Sequence, residues 1–371
     1  MNFENLTFKG GVKVPHYKEL TENLPIEKAM DPDVVYIPLH QHTGAPCEPL
    51  VKVGDTVKVG QKIGQSDAFV SAPVHSSVSG VVKEITSMPI PTGLTVKCVV
   101  IESDGKDELH ESVKPKGNLK DLSPKDIIEI IREAGITGMG GAGFPTHVKL
   151  SPPPDKKIDT IIVNGAECEP YLTADHRLMV EYPEKIVFGL KAIMKAVGVE
   201  RGIIAIEKNK PDAILALKEA AKDEPNIQIA TLKVKYPQGD EKRLINAVLG
   251  RVVPSGGLPM DVGAIVSNAS TTKAIADAIL EGKPLYERIT TITGKGVKEP
   301  RNLLVKIGTP IKNLIEQCGG FAENAPGKII CGGPMMGISQ YSIDVPVIKG
   351  TNGVLILTEA ESIPDRVQPC I

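Results

Sequence analysis

Tryptophan is absent from this chain, and aromatic residues make up only 4% of it. Stacking platforms for unpaired bases need several exposed rings, so single-stranded nucleic acid is a poor match. Neither sign of charge dominates. The formal net charge is −2, which argues against a broad basic footprint for DNA or RNA. No apolar run approaches the length of a membrane-spanning helix. Met1-Asn2-Phe3-Glu4 lacks the charged and apolar regions of a secretory signal, so the chain reads as cytoplasmic, with docking onto a membrane protein left open. The six cysteines are scattered with no CxxC pair and read as reduced, buried thiols. Cys370 is the exception: the chain stops one residue later, and such an ending reads as a truncation.

What is present is ordinary globular material: 41% hydrophobic and 24% charged residues over 371 positions, enough for two or three domains. Residues 1–30 read as an extended arm. Across 31–105 the texture is all-β, with short Val/Ile segments broken by Gly, Pro and Ser. The run Val51-Lys52-Val53-Gly54-Asp55-Thr56-Val57-Lys58-Val59-Gly60 alternates apolar and polar residues between tight turns. This region resembles the barrel-sandwich hybrid of biotinyl and lipoyl carrier domains. Those carriers place a modifiable lysine at the hairpin between their two halves. Here the hairpin reads Ser66-Asp67-Ala68-Phe69-Val70, so the swinging-arm chemistry is not expected.

Residues 106–122 are charged and punctuated by Pro and Gly, as in a linker. Ser123-Pro124 then has the form of a helix start and Gly135 of its stop. Over 123–283, predicted strands at Thr160–Val163, Gly202–Ile206, Gln228–Lys235 and Val262–Ser267 alternate with predicted helices. These are Pro183–Val197, Pro211–Lys222, Glu241–Leu249 and Thr271–Leu280. Such alternation predicts a largely parallel sheet, which binds ligands beyond the carboxyl ends of its strands. Over 284–340, three short strands and the helix Ile311–Cys318 predict a β-grasp arrangement. Residues 341–371 read as a tail that wraps back or leads onward.

Four clusters carry the chemistry. Gly138-Met139-Gly140-Gly141-Ala142-Gly143-Phe144-Pro145-Thr146, followed by Lys149, puts glycines where a backbone can approach a phosphate or a flat ring. It follows a helix, which disfavours both a Rossmann fingerprint and a P-loop. A structural glycine-rich turn is the alternative. Asn164-Gly165-Ala166-Glu167-Cys168-Glu169-Pro170 ends an apolar strand. Its carboxylates suit a ribose or nicotinamide, or are simply solvated, and no nucleophile or metal cluster accompanies them. Tyr236-Pro237-Gln238-Gly239-Asp240-Glu241 opens a helix, where an anion site and plain N-terminal capping are both open. Ser267-Asn268-Ala269-Ser270-Thr271-Thr272 is a second strand-to-helix turn rich in small hydrogen-bonding side chains.

These four clusters, in this order, resemble the flavoprotein subunit of respiratory complex I, which binds FMN and NADH. With Phe8-Lys9-Gly10-Gly11-Val12-Lys13-Val14-Pro15 and the carrier-like region, the whole chain resembles the RnfC family. Its members belong to the Rnf complex, a membrane-associated ferredoxin:NAD oxidoreductase coupled to ion pumping. The resemblance implies three modules: a barrel-sandwich hybrid, a Rossmann-like α/β domain for FMN and NADH, and an SLBB β-grasp domain. It implies that Gly138, Gly140, Gly141, Ala142 and Gly143 shape a flavin pocket flanked by Phe144, with Lys149 on the FMN. Asn164 would bond the flavin, with Glu167 and Glu169 near NADH. Tyr236, Gly239, Asp240 and Glu241 would line the flavin and nicotinamide region, while Asn268, Ser270 and Thr271 would hold the phosphate. Met139 and Ala166 stand where the complex I pattern carries Arg and Asp, so those contacts are absent or replaced.

Hydride exchange between nicotinamide and flavin, with electrons passing on to clusters, requires no catalytic acid or base from the protein. The family continues into two CxxCxxCxxxCP runs holding [4Fe–4S] clusters, and Cys370 stands where the first would begin. The implied partners are the other subunits of a membrane electron-transport complex, at the cytoplasmic face, and NADH. Two relatives in architecture are the alternatives. One is the cobalamin-reductase flavoprotein of microcompartments. The other is a non-redox scaffold like the A subunit of the sodium-pumping NADH:quinone reductase.

Overall fold

The computed structural model describes residues 3–362. Its centre is a four-stranded parallel sheet in the order Ile227–Leu232, Gly202–Glu207, Thr160–Gly165, Ala264–Asn268. Side chains alternate across a strand, and here both faces are covered. Ile161, Val163, Ile204, Ile206 and Ile265 join one core cluster with the helices Pro124–Glu133, Ala174–Glu181, Pro183–Val197 and Ala269–Leu280. Ile162, Ile203, Ala205, Ala264 and Val266 face the other way, onto Leu244, Ile245 and Val248 of the helix Glu241–Leu249.

All four predicted strands form with one or both ends shifted by one to three residues, and two of the shifts have local reasons. The strand expected to run to Lys235 stops at Leu232, where its register partner Glu207 ends the neighbouring strand; on its outer edge the amide of Lys233 donates to the carbonyl of Leu6 in the N-terminal arm (2.9 Å). The one expected from Val262 starts at Ala264, after a short 3-10 turn at Pro259–Val262. The helix Pro124–Glu133 forms as its sequence predicts. Ser123 and Asp126 bond each other's amides, and Gly135 takes a left-handed φ of 65°. A Cβ at Gly135 would also lie 2.2 Å from the carbonyl of Pro73, so this turn is pressed against the first β module.

That module is a barrel-sandwich hybrid of two antiparallel sheets. One holds Val34–Pro38, Thr95–Ser103, Gly80–Pro89 and Thr56–Val57, the other Glu48–Pro49, Lys62–Gln65 and Val74–His75. Val35, Ile37, Ile63, Val74, Val99 and Ile101 close its interior. A mixed six-stranded sheet forms the third layer, with Ile311–Gln317 as its helix. Its interior strand Gly353–Leu357 runs parallel to Glu287–Thr293 and antiparallel to Lys328–Cys331. One edge is Ile26–Lys28 from the arm, paired with Arg301–Lys306. Among the described residues, no helix is long and apolar enough to cross a membrane.

Candidate functional site

The parallel sheet changes direction of build at one place. From Thr160–Gly165 the chain adds two strands outward on one side, then returns to add Ala264–Asn268 on the other. A crevice opens beyond the carboxyl ends of two strands at such a switch point. Asn164 and Asn268 are direct register partners on its two rims. Three of the four clusters follow strands of this sheet at that same edge.

The fourth, the glycine loop, is carried there by contacts at both ends. Gly138 donates to the carbonyl of Phe144 (2.9 Å), closing the loop at its base. The amide of Met139 donates to Thr271 Oγ1 (2.9 Å), and the Met139 side chain is buried in the core. A Cβ at Gly140 would stand 2.8 Å from Asn268 Nδ2, so only glycine lets the loop lie against the switch point. Beyond that contact Gly140, Gly141 and Ala142 are exposed, and nothing lies within 4 Å of a Cβ placed on Gly141. From the opposite side Thr43 of the barrel donates its hydroxyl to Ala142 O (2.7 Å) and its amide to Gly143 O (3.2 Å). Phe144 is 38% exposed, and Lys149 forms an ion pair with Glu241.

Asn164 clasps two loops together. Its Nδ2 donates to Gly239 O (2.8 Å) and its Oδ1 accepts from Ala166 N (3.1 Å). Gly239 packs so tightly on this loop that a Cβ would meet Ala166 O at 2.5 Å. Asp240 caps its helix by accepting from Arg243 N (3.0 Å), and Tyr236 bridges to Val12 of the arm through both backbone bonds. Asn268 caps the helix Ala269–Leu280 through the amides of Ser270 (2.9 Å) and Thr271 (3.3 Å). Its Nδ2 reaches Asp175 Oδ2 (2.7 Å), and Ser270 Oγ reaches Asp175 Oδ1 (2.5 Å).

The two glutamates of the second cluster point to different work. Glu167 is buried and accepts from the amides of Asp175 (2.9 Å) and His176 (3.3 Å), capping the helix Ala174–Glu181 from outside. Burial raises its carboxyl pKa, opposed by the Lys18 ammonium 3.8 Å away. Glu169 accepts from Met335 N (3.1 Å) of the third module, and its Oε1 is buried without a partner among the described residues. Burial raises its carboxyl too, against the amides of Met335 and Met336. Burial likewise pushes the Cys168 thiol up to about 11, so it is not a thiolate nucleophile at neutral pH. Among the described residues, no group of three His, Cys, Asp or Glu side chains is arranged to hold a metal, and Cys370 lies outside them.

The structure thus brings together all four clusters, and adds Asp175 and Thr43. Neither added residue stands in a motif, and each reaches the site only through tertiary contact.

Three family models match the chain in order. These are the RnfC barrel sandwich hybrid domain over residues 6–106, the Nuo51 FMN-binding domain over 131–277 and the SLBB domain over 289–339. The C subunit of the Na(+)-translocating ferredoxin:NAD(+) oxidoreductase complex of Acetobacterium woodii is 51% identical over 371 residues, covering 100% of this chain and 84% of that relative. The chain belongs to the RnfC family. A second member, from the proton-translocating complex of Clostridium ljungdahlii, is 53% identical over 365 residues, covering 98% of this chain and 79% of its own. The fold of this family member also matches a chain of an NAD+-reducing [NiFe]-hydrogenase in the H2-reduced state. There the TM-score is 0.55 at 21% identity, over 67% of this chain and 49% of that one.

Proposed function

We propose that this oxidoreductase subunit holds FMN in the crevice between Asn164 and Asn268 and receives NAD(H) over it. The observation that carries the reading is the convergence of four glycine- and amide-rich loops on the switch point of a parallel sheet. The residues suit the group. Gly140 and Gly239 lie where any Cβ would collide, and the exposed loop tip at Gly140–Ala142 offers backbone rather than side chains. Bound FMN would supply the conversion between two-electron nicotinamide chemistry and one-electron carriers.

In this reading Gly138 and Gly140–Gly143 form the cradle, Phe144 flanks it, and Lys149 supplies a positive charge that Glu241 holds in place. Asn164 fixes the floor by tying Gly239 to its own loop. Asn268, Ser270 and Thr271 make the phosphate end, where Asp175 now sits on two of their side chains. Glu169, Tyr236, Gly239, Asp240 and Glu241 line the approach of the nicotinamide. Glu167 supports this wall from behind as a helix cap.

The relatives bear the names of components of ion-translocating ferredoxin:NAD(+) oxidoreductase complexes, which supports a place in such a multi-subunit assembly. We assign this chain to the cytoplasmic face as a peripheral component that passes electrons toward [4Fe–4S] centres. Titration of the purified chain with FMN, followed by quenching of flavin fluorescence, tests the site. Saturable binding is expected, weakened by Lys149→Ala or Glu241→Ala. A folded sample that leaves the fluorescence unquenched would rule out the flavin assignment, and anaerobic bleaching by NADH tests the nicotinamide separately.

A further inference from the structure

The hairpin that carries a swinging lysine in carrier domains does something else here. The carbonyl of Phe69 lies 3.2 Å from Nε2 of His147, on the short helix that follows the glycine loop, and the two rings meet edge to face at 6.1 Å. Beside it, residues 41–43 run between three parts of the molecule. Gln41 donates to Pro38 O (2.9 Å) and accepts from the amide of Lys349 (3.0 Å). The buried Lys349 ammonium in turn holds the carbonyls of Pro73 and Gly135, each at 2.7 Å. His42 is fixed on the barrel core, its Nε2 accepting from the amide of Ala72 (3.0 Å). Thr43 is therefore presented from a rigid segment.

Thr43 grips the glycine loop through carbonyls only, those of Ala142 and Gly143. In a trans peptide plane the carbonyl and the following N–H point in opposite directions. Holding these two carbonyls on the barrel side therefore turns the amides of Gly143 and Phe144 away from Thr43. A glycine-rich loop has more conformational freedom to lose than any other sequence, so leaving it unordered would weaken whatever it binds. Ordering it beforehand removes that loss from the binding step.

We propose that Thr43 is a positioning residue for the flavin: it pre-forms the glycine cradle and sets two of its peptide planes, which makes the barrel-sandwich module a fixed brace and not a moving carrier. The proposal rests on the FMN reading for its purpose, although the brace itself is independent of it. No motif marks Thr43, and its hydroxyl is already engaged by the carbonyl of Ala142.

The test uses the full chain with Thr43→Val, Thr43→Ala and Thr43→Ser, read by FMN titration and by hydrogen exchange of 138–145 without ligand. Thr43→Val, which keeps the shape and removes the hydroxyl, is expected to raise the FMN Kd by about fivefold, the scale of one lost hydrogen bond, and to speed exchange in the loop. Thr43→Ser should restore both within about twofold. Should Thr43→Val fail to fold, Thr43→Ala carries the same expectation. Unchanged affinity and unchanged exchange in a folded variant overturn the brace. If the wild type binds no FMN but Thr43→Val still speeds exchange in the loop, the brace stands and the flavin reading falls.

Discussion

Asp175 holds the two side chains that we propose for the phosphate end of the crevice. Its carboxylate accepts from Asn268 Nδ2 and Ser270 Oγ at the start of the helix Ala269–Leu280, where the helix dipole favours an anion. A carboxylate and a phosphate competing for one place repel each other, and removing the charge at similar shape relieves this. Asp175→Asn is expected to tighten FMN binding by about tenfold in the fluorescence titration, equivalent to ~1.4 kcal/mol. Weaker binding would mean instead that Asp175 orients Asn268 and Ser270 for the ligand. Asn268 itself was legible because a small amide before Ser and Thr at a helix start has a local meaning. Asp175 was not legible: it belongs to a segment without a motif, and its partners stand 93 and 95 positions away.

At the scale of elements, helices with their own signals match their sequences closely. Pro183–Val197 and Glu241–Leu249 begin and end where Pro, Asp and Gly place the boundaries. The helix Ala174–Glu181 carries no such signal, and its physics explains why. Thr173 makes no side-chain cap, and the two acceptors for its first amides come from Glu167 in the preceding loop. Gly353–Leu357 is similar. It lies in the stretch expected to be a tail, and becomes a strand because the sheet supplies partners on both sides. On the strength of this remote cap we propose that Glu167, expected near the nucleotide, supports the wall behind it. Glu167→Gln would weaken two charge-assisted bonds and leave the buried Lys18 without its carboxylate. We expect a loss of about 2 kcal/mol in urea unfolding and faster hydrogen exchange at 174–178, with FMN affinity changed by less than about threefold. A large loss of FMN affinity at unchanged stability would return Glu167 to the ligand.

For the whole molecule, three buried histidines lie at or near the joint between the barrel and the parallel-sheet module. His42, His75 and His147 are all buried, and Nδ1 of each makes no hydrogen bond among the described residues. Burial pushes His42 down to about 3, helped by the nearby Lys349 charge and by His40, and opposed by the carbonyl of Ala45. Burial lowers His75 and His147 as well. A histidine whose folded pKa lies below its unfolded value near 6.5 takes up its proton only on unfolding within that window. The unfolded chain then binds more protons, so stability is present above about 6.5 and is lost as pH falls toward the folded value. For His42 the loss approaches about 1.4 kcal/mol per pH unit between about 6 and about 3. Glu167 and Glu169 act in the opposite sense, because burial raises them and acid relieves their charge. The net profile mixes the two, whereas a difference between variants isolates one group. Urea midpoints of the wild type and His42→Asn at pH 7.5, 6.5, 5.5 and 5.0 supply it. Whatever its absolute stability, the variant should lose less on acidification, by about 1 kcal/mol between pH 6.5 and 5.5. Parallel profiles would show that His42 is protonated in the folded state, and that the joint tolerates a charge beside Lys349.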